Sequence, residues 1–177
     1  MDTTLLNAMD SNGKEKFEIR MVLSDAISLS VVSEAEAFSQ TQCDVLINGN
    51  NTGIKVSGQV LEAAISVSEG RYLLFLTDDV IYEESLNITL IDAKLGHLES
   101  LDLGGQYATG TFEQLHIKQT SVNFRFIGDT TWTVEILTLP ALRLPFTDPR
   151  GVTRPLRLKK YINISANPAP ARADGSR

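Results

Sequence analysis

The chain holds one cysteine, Cys43, in 177 residues. Without a second thiol no internal disulfide can form, which excludes a disulfide-stapled scaffold and a structural zinc site built on cysteines. Histidine is almost as scarce, at His97 and His116 alone. Long apolar runs are missing too: nothing approaches the roughly 20 residues of a membrane-spanning helix. The leading stretch MDTTLLNAMDSNGKEK has neither the basic start nor the apolar run of a signal peptide. These absences lead us to expect a cytoplasmic protein with no membrane association, metal or cofactor. The three Asn-x-Ser/Thr sequons, at Asn50, Asn87 and Asn163, then read as chance occurrences.

Recognisable catalytic signals are absent as well. The sequence contains no Gly-x-Ser-x-Gly elbow, no His-Glu-x-x-His helix, no phosphate-binding loop and no Gly-x-Gly-x-x-Gly fingerprint. His97 and His116 would make a metal pair only if their strands were neighbours, and two solvent-facing strand residues is the favoured reading. Cys43 has nothing near it in sequence to lower its pKa, and the adjacent Asp44 would raise it, so an inert thiol is expected. The composition therefore leans toward binding rather than catalysis.

What is present is a period of two. At 42% hydrophobic, the chain has the material for one domain with a true core and is short for two. Phe17, Ile19, Met21 and Leu23 alternate with Glu18, Arg20 and Val22, and Ile27, Leu29 and Val31 alternate with serines. Asn48-Gly-Asn-Asn between Val45–Ile47 and Gly53–Val56 predicts a hairpin, because Asn and Gly accept the positive φ of tight turns. Gln59–Ser68 and Arg71–Thr77 flank Glu69-Gly70, and the fully apolar Tyr72–Leu76 predicts a strand buried on both faces. Asn87–Asp92 and His97–Leu103 form a further pair. Thr109–Lys118, Val122–Ile127 and Trp132–Leu139 follow, with Gly128-Asp129 as a hinge. Val122, Phe124 and Phe126 are expected to share a face opposite Trp132, Val134 and Ile136. After Pro140 and Pro145 regularity is expected to fade, until Leu156, Leu158, Ile162 and Ile164 mark a closing strand.

The fold expected from this pattern is mainly β: an antiparallel sandwich, barrel or meander of about ten strands, with at most one or two short helices. Ser33–Thr41 is the one fair helix candidate, with Ser33 and Glu36 placed as a capping box. Residues 1–13 read as a flexible lead, 14–165 as a single β-rich domain, and 166–177 as a disordered tail.

Charge is divided along the chain. Residues 1–113 carry 18 acidic and 6 basic side chains, whereas 114–177 carry 4 and 10. Two segments concentrate it. Asp78-Asp79-Val80-Ile81-Tyr82-Glu83-Glu84 places four carboxylates in seven residues after the apolar strand. It reads as a solvated connection, or as a lure for a basic partner with Tyr82 as an aromatic anchor; the ligand spacing of a calcium loop is missing. Arg143, Arg150, Arg154, Arg157, Lys159 and Lys160 gather around a single acid, Asp148. Pairing of these cations with the acidic half of the same chain, or of a second copy, is favoured over nucleic-acid binding. The glycine-rich Gly104–Gly110 reads as an ordinary loop, since no helix follows it to favour phosphate.

The stretch Arg71–Asp92, RYLLFLTDDVIYEESLNITLID, resembles the strand, acidic loop and strand of immunity proteins from bacterial contact-dependent growth inhibition systems. That resemblance implies a non-catalytic inhibitor whose partner is a basic, nuclease-type toxin domain. It also implies that Asp78, Asp79, Glu83 and Glu84 occupy sites meant for phosphates. Two other readings stand beside it. One is a small-ligand-binding barrel or sandwich lined by Tyr107, Phe124, Phe126 and Trp132. The other is an enzyme with a carboxylate pair drawn from Asp78, Asp79, Asp129 and Glu135.

Overall fold

The structure, a computed structural model, describes residues 18–33, 41–78, 85–104, 110–144 and 147–171. Thirteen strands run through them: β1 (Val22–Leu23), β2 (Ile27–Ser33), β3 (Gln42–Ile47), β4 (Asn50–Ser57), β5 (Val60–Ser68), β6 (Arg71–Thr77), β7 (Leu86–Asp92), β8 (Gly96–Leu103), β9 (Glu113–Ile117), β10 (Ser121–Arg125), β11 (Thr131–Leu142), β12 (Val152–Thr153) and β13 (Lys159–Asn167). They form three antiparallel sheets, ordered β1-β5-β6-β7-β8-β12, β13-β11-β10-β9 and β2-β3-β4. No helix is present among the described residues, and so none is long and apolar enough to cross a membrane. Of the expected helix, Ser33 ends β2, Thr41 leads into β3, and residues 34–40 lie outside the described residues.

The sheets stack as three layers, with the six-stranded sheet in the middle. A strand exposes alternate side chains on opposite faces, and β6 is apolar on both. Leu73 and Phe75 join the core shared with the four-stranded sheet, while Leu74 and Leu76 join the one shared with the three-stranded sheet. Both-face burial is thus what the continuous run Tyr72–Leu76 encodes. The larger core sets Ile65, Val67, Leu86, Ile88, Leu90, Leu101 and Leu103 against Val122, Phe124, Trp132, Val134, Ile162 and Ile164. Val122 pairs with Val134 and Phe124 with Trp132 across β10 and β11, as their shared phase predicts. The smaller core sets Ala64, Leu74, Leu76 and Ile91 against Ile27, Cys43, Val45, Ile54 and Val56.

Local chemistry fixes the turns. Asn48 and Gly49, at φ 50° and 78°, close the β3–β4 hairpin in the left-handed conformation that a two-residue loop needs. Asp92 ends β7 and accepts the N–H groups of Lys94 and Leu95 while binding Arg71 across the hairpin at 3.1 Å. Gly110 is demanded by contact: a Cβ there would lie 2.4 Å from the carbonyl oxygen of Phe126.

The structure departs from the periodicity in three places. Phe17–Leu23 shrinks to the two-residue ladder β1, and Phe17 lies outside the described residues. The reason is a change of partner, because Arg20 donates to Val67 of the middle sheet and Met21 to Gln119 beside β9. This segment spans the gap between two sheets while Ile19 and Met21 plug it. Beyond Pro140, β11 continues to Leu142, with a register shift between Ile136 and Ala141. The closing strand starts only at Lys159, so Leu156 and Leu158 are not core residues: they are 98% and 80% exposed. That strand also continues to Asn167, past the boundary expected at 165.

Candidate functional site

Of the acidic segment, Asp78 is the described member; Asp79, Tyr82, Glu83 and Glu84 lie outside the described residues, as does Tyr107. Asp78 follows the last residue of β6, where the middle sheet meets the smaller core. Its Oδ1 is buried without a hydrogen-bond partner among the described residues, and its pKa is raised, first by burial and then by the negative charge of Asp102. Asp102 sits on β8 and accepts a 2.9 Å hydrogen bond from the side-chain amide of Asn87, whose own Oδ1 accepts from Thr89. Asn87 is buried in this chain of bonds, consistent with its sequon being incidental. The sequence shows Asp78 as part of an acidic run, but Asp102 escapes it. The two come together only through the β6-β7-β8 order, which brings the end of β6 near the end of β8.

Cys43 lies beneath the same corner. It is fully buried, and its thiol pKa is pushed up by burial, then by Asp78, then by Asp44. An inert thiol is what the adjacent carboxylate led us to expect, with burial the larger cause.

Of the cations of the basic segment, Arg154 is buried, Arg143 half-buried and Arg157 exposed, yet each bonds within the chain. Arg154, with a side chain only 2% exposed, donates to Glu99 at 2.6 Å, to Asp148 at 2.9 Å and to the carbonyl of Ile162 at 3.0 Å. The other oxygen of Glu99 accepts the backbone N–H groups of Tyr161 and Ile162. Arg143 reaches Asp148 at 3.8 Å and the carbonyl of Pro155 at 2.8 Å, while Arg157 donates to the carbonyl of Leu98. The expected pairing with the acidic half of the chain is thus seen for Arg154 on Glu99, whereas Arg143 meets Asp148 of its own segment and Arg157 a backbone carbonyl. Arg150 and Lys159 remain exposed and Lys160 half-buried.

This network has a structural job. Glu99 and Arg154 satisfy both donor and acceptor groups on the outer side of β13, where another strand would otherwise pair, and so tie the middle sheet to the four-stranded one. Glu99 points inward because β8 shifts register between its pairings of Leu90 with Glu99 and Ile91 with His97. The signal was present in the sequence: Leu98 and Leu101 are three residues apart, which breaks the period of two and puts Glu99 in phase with Leu101.

The other candidates are scattered. His97 is on β8 of the middle sheet and His116 on β9 of the four-stranded sheet, so they are not strand neighbours. His116 is exposed as expected, whereas His97 is half-buried, its pKa lowered by burial and then by Arg157. Asp129 and Glu135 belong to the β10–β11 region of the four-stranded sheet, a different layer from Asp78. Phe124, Phe126 and Trp132 are core residues. Phe124 packs on Phe75 and Phe112 with ring centroids 5.2 and 5.5 Å apart. Gly104 donates to the carbonyl of Gly151, and residues 105–109 of the glycine-rich loop lie outside the described residues.

No protein-family model, curated protein or solved structure matches the chain.

Proposed function

We propose that this protein is a non-catalytic binding module whose partner is a basic protein, with a nuclease-type toxin domain as the chemical type that fits best. The observation carrying this reading is the placement of Asp78. Its buried Oδ1 has no hydrogen-bond partner among the described residues, and the negative charge of a second carboxylate, Asp102, acts on it as well. A cation supplied by a partner would relieve both the desolvation and the repulsion there. The contact set would be Asp78, Asp79, Tyr82, Glu83 and Glu84. An inhibitor of this kind needs no cofactor and no catalytic residue, since carboxylates can occupy the positions that a nuclease reserves for phosphates.

The test begins with capture of the partner by the tagged chain from its source lysate and its purification. Affinity is then measured by calorimetry at low and high salt for the wild type and for the Asp78→Asn, Asp79→Asn, Glu83→Gln, Glu84→Gln variant. The proposal expects inhibition of the partner's nuclease activity, weakening of the complex by salt, and a loss of at least tenfold in affinity in the variant. Unchanged affinity in the variant would remove the acidic segment from the interface. A partner without nuclease activity would end the inhibitor reading.

A further inference from the structure

The turn that closes the β3–β4 hairpin carries a chemistry that its structural role does not use. Asn48-Gly49 sets a side-chain amide next to the backbone nitrogen of a residue with no side chain to hinder it. Both residues are exposed, and a Cβ built on Gly49 would meet nothing within 4 Å. Water and hydroxide therefore reach the reacting atoms, and the reaction open to them is deamidation. The nitrogen of Gly49 gives up its proton to hydroxide and bonds to Cγ of Asn48. The Cγ–Nδ2 bond breaks, and the amide nitrogen leaves as ammonia. Water then opens the five-membered imide at either carbonyl, leaving aspartate or, with the main chain rerouted through Cγ, isoaspartate.

The folded turn opposes the first step. Ring closure needs the nitrogen of Gly49 and the Cβ of Asn48 on the same side of the Asn48 Cα–C bond, close to eclipsed. Asn48 is left-handed, with φ 50°. A left-handed residue has ψ of about +30 to +60°, which in an L residue turns Cβ and the next nitrogen roughly 150–180° apart. The nucleophile thus faces away from the carbon it must attack. The turn is also held in place. The N–H of Asn48 donates to the carbonyl of Ala26 at 2.7 Å, and its carbonyl accepts the Asn50 side chain at 3.4 Å. Ile47, just before it, pairs with Asn50 on one side and Ile27 on the other. Rotating Asn48 toward the reactive geometry means releasing these contacts at the end of the three-stranded sheet.

We infer that Asn48 is a latent deamidation site, silenced by the left-handed β3–β4 turn and open to reaction only when that turn opens. The isoaspartate product adds a methylene to the main chain. It therefore lengthens the two-residue loop on which the Ile47–Asn50 register and the Asn48–Ala26 bond depend. This inference goes beyond the proposed function, because it uses neither Asp78 nor the acidic segment and is read on the purified chain alone.

Peptide mapping by mass spectrometry, on the full chain incubated in mildly alkaline buffer with and without urea, is the direct test. The readout is the gain in mass when the amide of Asn48 becomes a carboxylate. A second Asn-Gly sequence, Asn12-Gly13, lies outside the described residues and serves in the urea sample as the reference for unhindered chemistry. In urea Asn48 is expected to react as fast as Asn12. Without urea its rate is expected to fall by about tenfold or more, since reaction then waits on local opening. One extra glycine inserted after Gly49 keeps the Asn-Gly sequence but makes a three-residue loop, whose first position is right-handed. In that variant the native rate at Asn48 is expected to rise by about tenfold or more, with the urea rate unchanged. A cooperative urea transition confirms that the variant is folded. Equal rates at Asn48 with and without urea overturn the inference. A folded insertion variant that reacts no faster than wild type overturns it too, because the shielding would then not come from the turn. So does an Asn48 that stays intact in urea while Asn12 reacts.

Discussion

At the scale of single residues, burial decides what each polar group can do. Glu99 and Arg154 have side chains 6% and 2% exposed, and the desolvation of each is tolerable only because the other is present. Replacing Arg154 by Ala leaves a carboxylate buried against β13, and is expected to cost about 3–5 kcal/mol in urea unfolding. Replacing Glu99 by Leu together with Arg154 by Met removes both charges and is expected to lie much closer to wild type than either single change. That contrast separates a structural clamp from a set of independent contacts. Cys43 offers a second residue-level check. Its thiol is fully buried, with its pKa raised by burial and by Asp78 and Asp44. It should be silent toward a thiol-specific reagent in the native state and react on unfolding in urea; a fast native reaction would mean that the smaller core opens at that corner.

The elements follow rules that were readable from the chain wherever alternation was unbroken. The Asn48-Gly49 hairpin, the Phe124–Trp132 pairing and the doubly buried β6 all emerge from period and turn chemistry alone. Where reading failed, the chain was obeying a longer-range demand. Leu156 and Leu158 keep a strand-like alternation, yet the inward position nearby is taken by Arg154, whose anchors Glu99 and Ile162 lie 55 and 8 residues away. No local pattern announces such a choice. The two-carboxylate corner was half legible: Asp78 belongs to a visible run, but its neighbour Asp102 is brought there by strand order, and order is not written in periodicity. Gly110 looked like one more loop glycine, and only the packing of Phe126 against it reveals why it must be bare. Gly110→Ala is therefore expected to cost about 1–3 kcal/mol, as for other overpacked sites, because the backbone carbonyl it meets cannot rotate away. A urea midpoint equal to wild type would show that this loop shifts freely.

For the molecule as a whole, three of the described groups shape the pH dependence of stability in the acid range, and their signs differ. Asp92 has a lowered pKa: burial pushes it up, but the N–H groups of Lys94 and Leu95 and the side chain of Arg71 outweigh that. Its contribution is intact above its ordinary value of 3.8 and is lost as pH falls below it. The pKa of His97 is lowered from 6.5, so the folded state disfavours the imidazolium and stability falls as pH drops through the region below 6.5. Asp78 runs the other way. Its folded pKa lies above 3.8, so the native state holds that proton more tightly than the unfolded chain does. Stability from this group is greatest when it is protonated, declines as pH rises from 3.8 through the raised value, and stays reduced at neutrality. Asp78→Asn removes the decline, and is expected to raise the urea midpoint at neutral pH while leaving it little changed near pH 3. In the proposed complex the same substitution has the opposite effect, because the ionised carboxylate is what a basic partner would neutralise. A more stable protein that binds its partner less tightly is thus the combined expectation, a trade of stability for function at one side chain. If Asp78→Asn stabilises the chain at neutral pH and binding is unaffected, the strained carboxylate serves some purpose other than the partner. If it destabilises the chain, neither the burial of that charge nor its repulsion from Asp102 governs the corner.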